Sequence, residues 1–131
     1  MLQMDFESKV VRSSAILTTG YVASDIRGAS DNLVLTNKNQ VILLIDFTKG
    51  SLTSMELKLD FSFDNTNWFQ ETSLDISSWT WNVNLFEYTF TASWKYRIAV
   101  PIKDKFIRAS VKGTGTVTSS LCEITTITWI A

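Results

Sequence analysis

The chain has no histidine and only one cysteine, Cys122. Histidine is the side chain most used as a general base and as a transition-metal ligand near neutral pH, so a nucleophilic triad that depends on it cannot be assembled. Cys122 has no second thiol to close an internal disulfide, and within a strand-like run it reads as a small buried hydrophobe. The acids Asp60, Asp64, Glu71 and Asp75 gather around one turn. A glycosidase would need two of them about 5–9 Å apart across a cleft, whereas strand solvation already accounts for Asp60 and turn formation for Asp64. With Asn65 and Asn67 the same acids offer oxygens to Ca²⁺, but their spacing is not that of an EF-hand loop. Gly20, Gly28 and Gly50 stand alone, without a glycine-rich phosphate loop. The expectation is a protein without catalytic residues, metal or cofactor.

Aromatic side chains are the other group with chemistry to offer. Of Trp68, Trp79, Trp81, Trp94 and Trp129, the pair Trp79 and Trp81 stands two residues apart, so in an extended segment both rings point one way. Such a pair, with Phe86 nearby, makes a flat platform for sugar rings or an anchor on another protein, or else belongs to the core and covers one end of the sandwich. Trp68 and Trp94 are expected in the core.

The elements that must hold these residues are strands. Met55 to Phe63 alternates strictly, with apolar residues at odd positions and polar residues at even ones, the pattern of a half-buried strand. Trp94 to Val100 repeats it, and Phe86, Tyr88 and Phe90 do so just before. Further strands are expected near Val10 to Thr18, Val41 to Phe47, Trp68 to Glu71, Phe106 to Val111 and Val117 to Trp129. The unbroken run Val41 to Ile45 predicts a strand covered on both faces. Asp64-Asn65-Thr66-Asn67, next to Trp68, reads as a hairpin loop, because short Asp and Asn side chains bond the local backbone. Lys112-Gly113-Thr114-Gly115 reads as the turn between the last two strands, Ser24 to Asn32 and Asp75 to Ser78 as short helical turns, and Pro101 as a strand end. Turn signals every ten residues or so predict an all-β antiparallel sandwich, jelly-roll or Ig-like. Residues 1–8 read as an N-terminal arm and 9–131 as a single sandwich domain.

At 131 residues, 45% hydrophobic and 19% charged, the chain is long enough for one packed core. Its net charge is -1, and its lysines and arginines are scattered rather than gathered on one side, which argues against nucleic acid as a partner. No segment approaches the roughly 20 apolar residues of a membrane-spanning helix, and the acidic start Met1 to Glu7 lacks the apolar stretch of a signal peptide. A product of the cytoplasm is expected.

The segment Leu44 to Met55, with its Lys49-Gly50-Ser51 turn, leads into the alternating strand and then into a Ser-x-Asp-x-x-x-Trp hairpin formed by Ser62, Asp64 and Trp68. This pattern, over about a fifth of the chain, resembles one met in small bacteriophage virion proteins. The resemblance implies a head-decoration, head-auxiliary or tail component, made in the host cytoplasm and carried on the virion. Its partners would be other virion proteins and further copies of itself. A carbohydrate-binding module, with Trp79 and Trp81 as platform and Asn82, Asn84 or Asp75 for hydroxyl groups, is the rival expectation.

Overall fold

A computed structural model describes residues 5–27, 40–75, 81–101 and 106–130. Every regular element in it is a strand: β1 (Asp5–Ala15), β2 (Val22–Arg27), β3 (Gln40–Thr48), β4 (Leu52–Ser62), β5 (Phe69–Gln70), β6 (Thr72–Asp75), β7 (Asn82–Leu85), β8 (Tyr88–Phe90), β9 (Trp94–Pro101), β10 (Phe106–Gly115) and β11 (Leu121–Ile130). All pairings are antiparallel. One sheet runs β1-β11-β3-β9. The other runs β2-β10-β4-β5, and β8 also pairs with β4. Counting β5 and β8 as one interrupted strand, the first strand pairs with the last, the second with the seventh, the third with the sixth and the fourth with the fifth. That nesting is a long hairpin rolled into two facing sheets, the jelly-roll order rather than the immunoglobulin one.

Alternation decides which residues meet between the sheets. Val41, Leu43, Ile45 and Phe47 of β3, Val100 of β9, and Cys122 and Ile124 of β11 face Met55, Leu57, Leu59 and Phe61 of β4 and Ile107, Ala109 and Val111 of β10. Tyr96 and Ile98 pack against the same core. Each fully buried aliphatic side chain contributes on the order of 1.5–3 kcal/mol, so this interlayer is the main source of stability.

Several sequence expectations are corrected. The segment from Ser24, read as a helical turn, belongs to β2, whose Val22, Ala23, Ser24, Asp25 and Arg27 pair with β10. Residues 5–8, read as part of an arm, pair with β11 from Asp5 opposite Ile130 onward. Gly113 does not turn the chain. It lies within β10 where a Cβ would stand 2.7 Å from Leu52 Cδ2, so the glycine allows close packing rather than reversal. The reversal comes later, at Ser119, in a left-handed conformation (φ 66°), with Ser120 Oγ donating to Val117 O at 2.6 Å. In β3, Ile42 is buried while Leu44 opens to solvent between Thr125 and Arg97, so the strand is covered on both faces only in part.

β4 is not half-buried. Its polar positions Ser54, Glu56, Asp60 and Ser62 are buried as well, because long side chains lie over them. The ammonium groups of Lys58 and Lys112 sit 4.8 Å from the Tyr21 ring centre, and the Arg108 guanidinium stacks 4.2 Å from that of Trp68. Phe63, the apolar position beyond the strand end, is exposed.

Candidate functional site

β5 and β8 both run antiparallel to β4 along the same edge. Phe69 lies opposite Phe61 and Gln70 opposite Asp60, so an uninterrupted strand would bring residue 73 opposite Leu57; Tyr88 stands there instead, which makes an insertion of fifteen residues. The insertion is the hairpin β6–β7, a two-stranded sheet of its own that pairs with neither main sheet. It forms a finger leaving the middle of an edge strand.

The root of the finger is fastened. Glu71 N donates to Leu59 O at 2.9 Å and Phe86 N to Glu71 O at 2.8 Å, while Gln70 Nε2 donates to Phe86 O at 3.2 Å. Phe86 meets the Tyr88 ring edge-on at 4.8 Å. The Tyr21 hydroxyl donates to the Glu87 carboxylate, and burial together with Glu87 holds that phenol well above its ordinary range.

Beyond the root the finger is exposed on both faces. Its register sets Leu74 opposite Val83 and Thr72 opposite Leu85, so these four share one face, and Ser73 and Asn84 take the other. Leu74 is 60% exposed, Val83 64%, Leu85 69% and Trp81, just before β7, 72%. An isolated two-stranded ribbon is marginal in water, and this one turns its apolar residues outward. Contiguous exposed apolar surface of this kind makes the finger a candidate interaction site.

The sites expected from the sequence fall in different places. Trp79 lies outside the described residues, so only Trp81 of the proposed platform is seen, on the finger. Phe86 is half-buried at the root. Asp64, Asn65, Asn67 and Trp68 sit in the connection between β4 and β5. There Asp64 Oδ1 accepts from Thr66 N (2.9 Å), Asn67 N (2.8 Å) and Ser62 Oγ (3.0 Å), Oδ2 accepts from Asn67 Nδ2 (2.7 Å), and Asn65 is left-handed. These bonds, the Asn67 amide first, hold the Asp64 carboxyl well below the usual carboxylate range. Trp94, expected in the core, is 72% exposed at the start of edge strand β9. With Asp46, Phe47, Thr48, Ser93 and Lys95 it lines a depression of about 470 Å³.

Two buried carboxylates, Asp60 and Glu56, lie along β4. Asp60 Oδ2 lies 3.5 Å from Arg108 Nε and 4.0 Å from Lys58 Nζ. Glu56 Oε1 accepts from Ser54 Oγ (2.8 Å) and Thr114 Oγ1 (2.7 Å), and its Oε2 is buried with no hydrogen-bond donor among the described residues. Among those residues no three His, Cys, Asp or Glu side chains converge as a metal site would need. Asp60→Ala leaves Arg108 and Lys58 without their buried counter-charge. It should cost about 2–4 kcal/mol in urea unfolding, with Asp60→Asn losing less because it keeps an acceptor. Equal stability of Asp60→Ala and the parent would show the ion pairs to be immaterial.

Cys122 is fully buried in β11, and burial raises its thiol from 9.0 to about 11. The fold therefore disfavours the thiolate. The stabilisation is complete below the unfolded thiol's value and is lost as pH rises from about 9 to 11, amounting to about 3 kcal/mol at most. Urea midpoints taken between pH 7 and 11 should fall over that window, and Cys122→Ala should flatten the fall. An identical pH profile in the variant would assign the loss to other groups such as Tyr21.

No known protein family matches the chain, and no curated protein matches its sequence.

Proposed function

We propose that this chain is a non-enzymatic structural protein of a bacteriophage virion, a head-decoration, head-auxiliary or tail component that assembles through protein–protein contacts. The observation that carries this reading is the finger. An amphipathic ribbon that opens its apolar face to water, rooted by hydrogen bonds in an edge strand, is built to be covered by another protein. Jelly rolls occur in viral capsid proteins and in lectins alike, so the fold agrees with both the virion and the carbohydrate reading, and the site must separate them. The test is mass spectrometry of virus particles banded from the strain that carries the gene. The chain should band with them in many copies per particle; its absence from purified particles would overturn the reading.

The carbohydrate reading draws on one specific feature. The exposed Trp94 indole borders a depression with an acceptor in Asp46 and a donor in Lys95, groups of the kind that hold a sugar ring. Glycan-array binding that disappears in a folded Trp94→Ala variant would favour it.

A further inference from the structure

We propose that Tyr21 is a releasable strap on the finger: closed, it ties the finger's root across the sheet to the connection between β1 and β2, and open, it gives up Lys112 to Glu56. The inference does not depend on what covers the finger.

The strap starts from residues 16–21, which join β1 to β2. That connection is pinned where it passes β10, because Gly113 N donates to Thr18 O at 2.7 Å and Leu17 N donates to Ser120 Oγ at 3.2 Å. From there the Tyr21 ring lies 4.8 Å from the ammonium groups of Lys112 on β10 and Lys58 on β4, and its hydroxyl donates to Glu87, between β7 and β8. One side chain thus reaches from the β2 edge of the sheet to the edge where the finger leaves.

The closed state leaves one polar group unserved. Lys112 stands directly opposite Glu56 in the register of β10 and β4, so the two share a face with Cβ atoms about 5 Å apart. A carboxylate is a stronger partner for an ammonium group than an aromatic ring is. Yet Lys112 lies on Tyr21, and the buried Glu56 Oε2 accepts no hydrogen bond among the described residues. Oε1 accepts from Ser54 Oγ and Thr114 Oγ1, which keeps the carboxyl from turning out to water. Each arrangement therefore satisfies what the other leaves bare: closed serves Glu87 and the ring, open serves Glu56. Two packings balanced in this way form the bistable element that a switch requires. Burial and Glu87 hold the Tyr21 phenol well above its ordinary range, so it stays a donor at neutral pH and the switch moves no proton. Whatever draws Glu87 away with the finger frees Tyr21, and the connection at the far edge is released with it.

The experiment follows hydrogen exchange of the Phe86 amide in the full chain, since its bond to Glu71 O closes the finger's root and exchange requires that bond to open. Tyr21→Phe keeps the ring and loses the hydroxyl, so exchange at Phe86 should rise about tenfold. The amides of β3, paired on both sides, should not change. Glu56→Gln removes the charge that competes for Lys112 but still accepts from Ser54 and Thr114, so it should slow exchange at Phe86 about threefold. The opposite signs are the diagnostic, because in a static packing both substitutions would loosen the root. Where Glu56→Gln does not fold, Lys112→Met removes the same open-state ion pair and should also slow the exchange. Exchange at Phe86 that stays level or rises in the folded Glu56→Gln chain, or in Lys112→Met in its place, overturns the proposal. So does exchange unmoved by Tyr21→Phe.

Discussion

Gly50→Ala should destabilise the chain by about 3 kcal/mol and lower its thermal midpoint by roughly 10 °C, a larger loss than a methyl group normally causes. Gly50 turns β3 into β4 with φ at +54°, and a Cβ there would stand 2.4 Å from the carbonyl oxygen of Ser119 and 2.6 Å from its carbon. The left-handed conformation costs an L-residue about 1–2 kcal/mol by itself. The clash adds to it, because the neighbour is backbone rather than the end of a flexible side chain. Ser119 cannot withdraw freely. It is itself left-handed, and Ser120 beside it accepts from Leu17 N at 3.2 Å, tying the β10–β11 turn to the chain after β1. Lys49 N, next to Gly50, donates to Ser93 Oγ at 2.8 Å, so four connections meet at this end of the sandwich. Gly20→Ala is the control. Nothing lies within 4 Å of its Cβ position, and the same added methyl should be neutral or stabilise by up to about 1 kcal/mol through the unfolded chain. Thermal melts of the two variants side by side decide the matter: equal midpoints would mean that the two turns do not touch.

The core strands were legible because their signal is local. Met55 to Phe61 alternates, and its odd positions are the ones that enter the core between the sheets; Tyr96, Ile98 and Val100 do the same in β9. β2 left no such trace. Val22-Ala23-Ser24-Asp25-Ile26 has only two large apolar residues, and its strand state is imposed by β10 alongside it. The glycines of Lys112 to Gly115 misled because glycine marks both turns and close approaches. Only the position of Leu52 and Leu17 beside Gly113 tells which role it plays, and those residues are distant in sequence. Sheet order was illegible for the same reason, since β1 pairs with β11 across nearly the whole chain. The site was half legible. Trp81 was singled out as an interface residue, but Trp81-Asn82-Val83-Asn84-Leu85 also alternates, and that run would have located β7. What the alternation could not reveal is that its apolar face looks outward. Period-two patterning states that two faces differ and leaves open which one meets the core. Trp68 and Trp94 went astray similarly: the ring of one lies half-buried beneath the Arg108 guanidinium, and the other stands exposed at the start of an edge strand.

Excising residues 73–87 should leave a folded protein that no longer attaches to virus particles. The register makes this a specific expectation. Thr72 would follow Glu71 to a place opposite Lys58, and Tyr88, joined directly to it, already stands opposite Leu57. β5 and β8 would then form one continuous strand along β4 with no change of partner. Among the described residues of the excised ribbon, Ser73, Leu74 and Trp81 to Leu85 are all exposed and add little to the core. Against the deletion stand the Tyr21–Glu87 hydrogen bond and the edge-on packing of Phe86 on Tyr88, worth about 1 kcal/mol each. In its favour are one repaired stretch of ladder and a shorter loop to close, of similar size. The thermal midpoint should therefore stay within about 5 °C of the parent. Virus particles should lack the excised chain where they carry the parent. Failure of the excised chain to fold would show the finger to be part of the sandwich rather than an insertion in it. A folded chain that still bands with particles would place the assembly surface elsewhere, on the open edges of β1 or β9. The length of each edge shows why the fold would take this route. β5 and β8 are two and three residues long, too short to template a neighbour's strand. A side-chain contact on a projecting ribbon selects its partner by shape, which an open backbone edge does not.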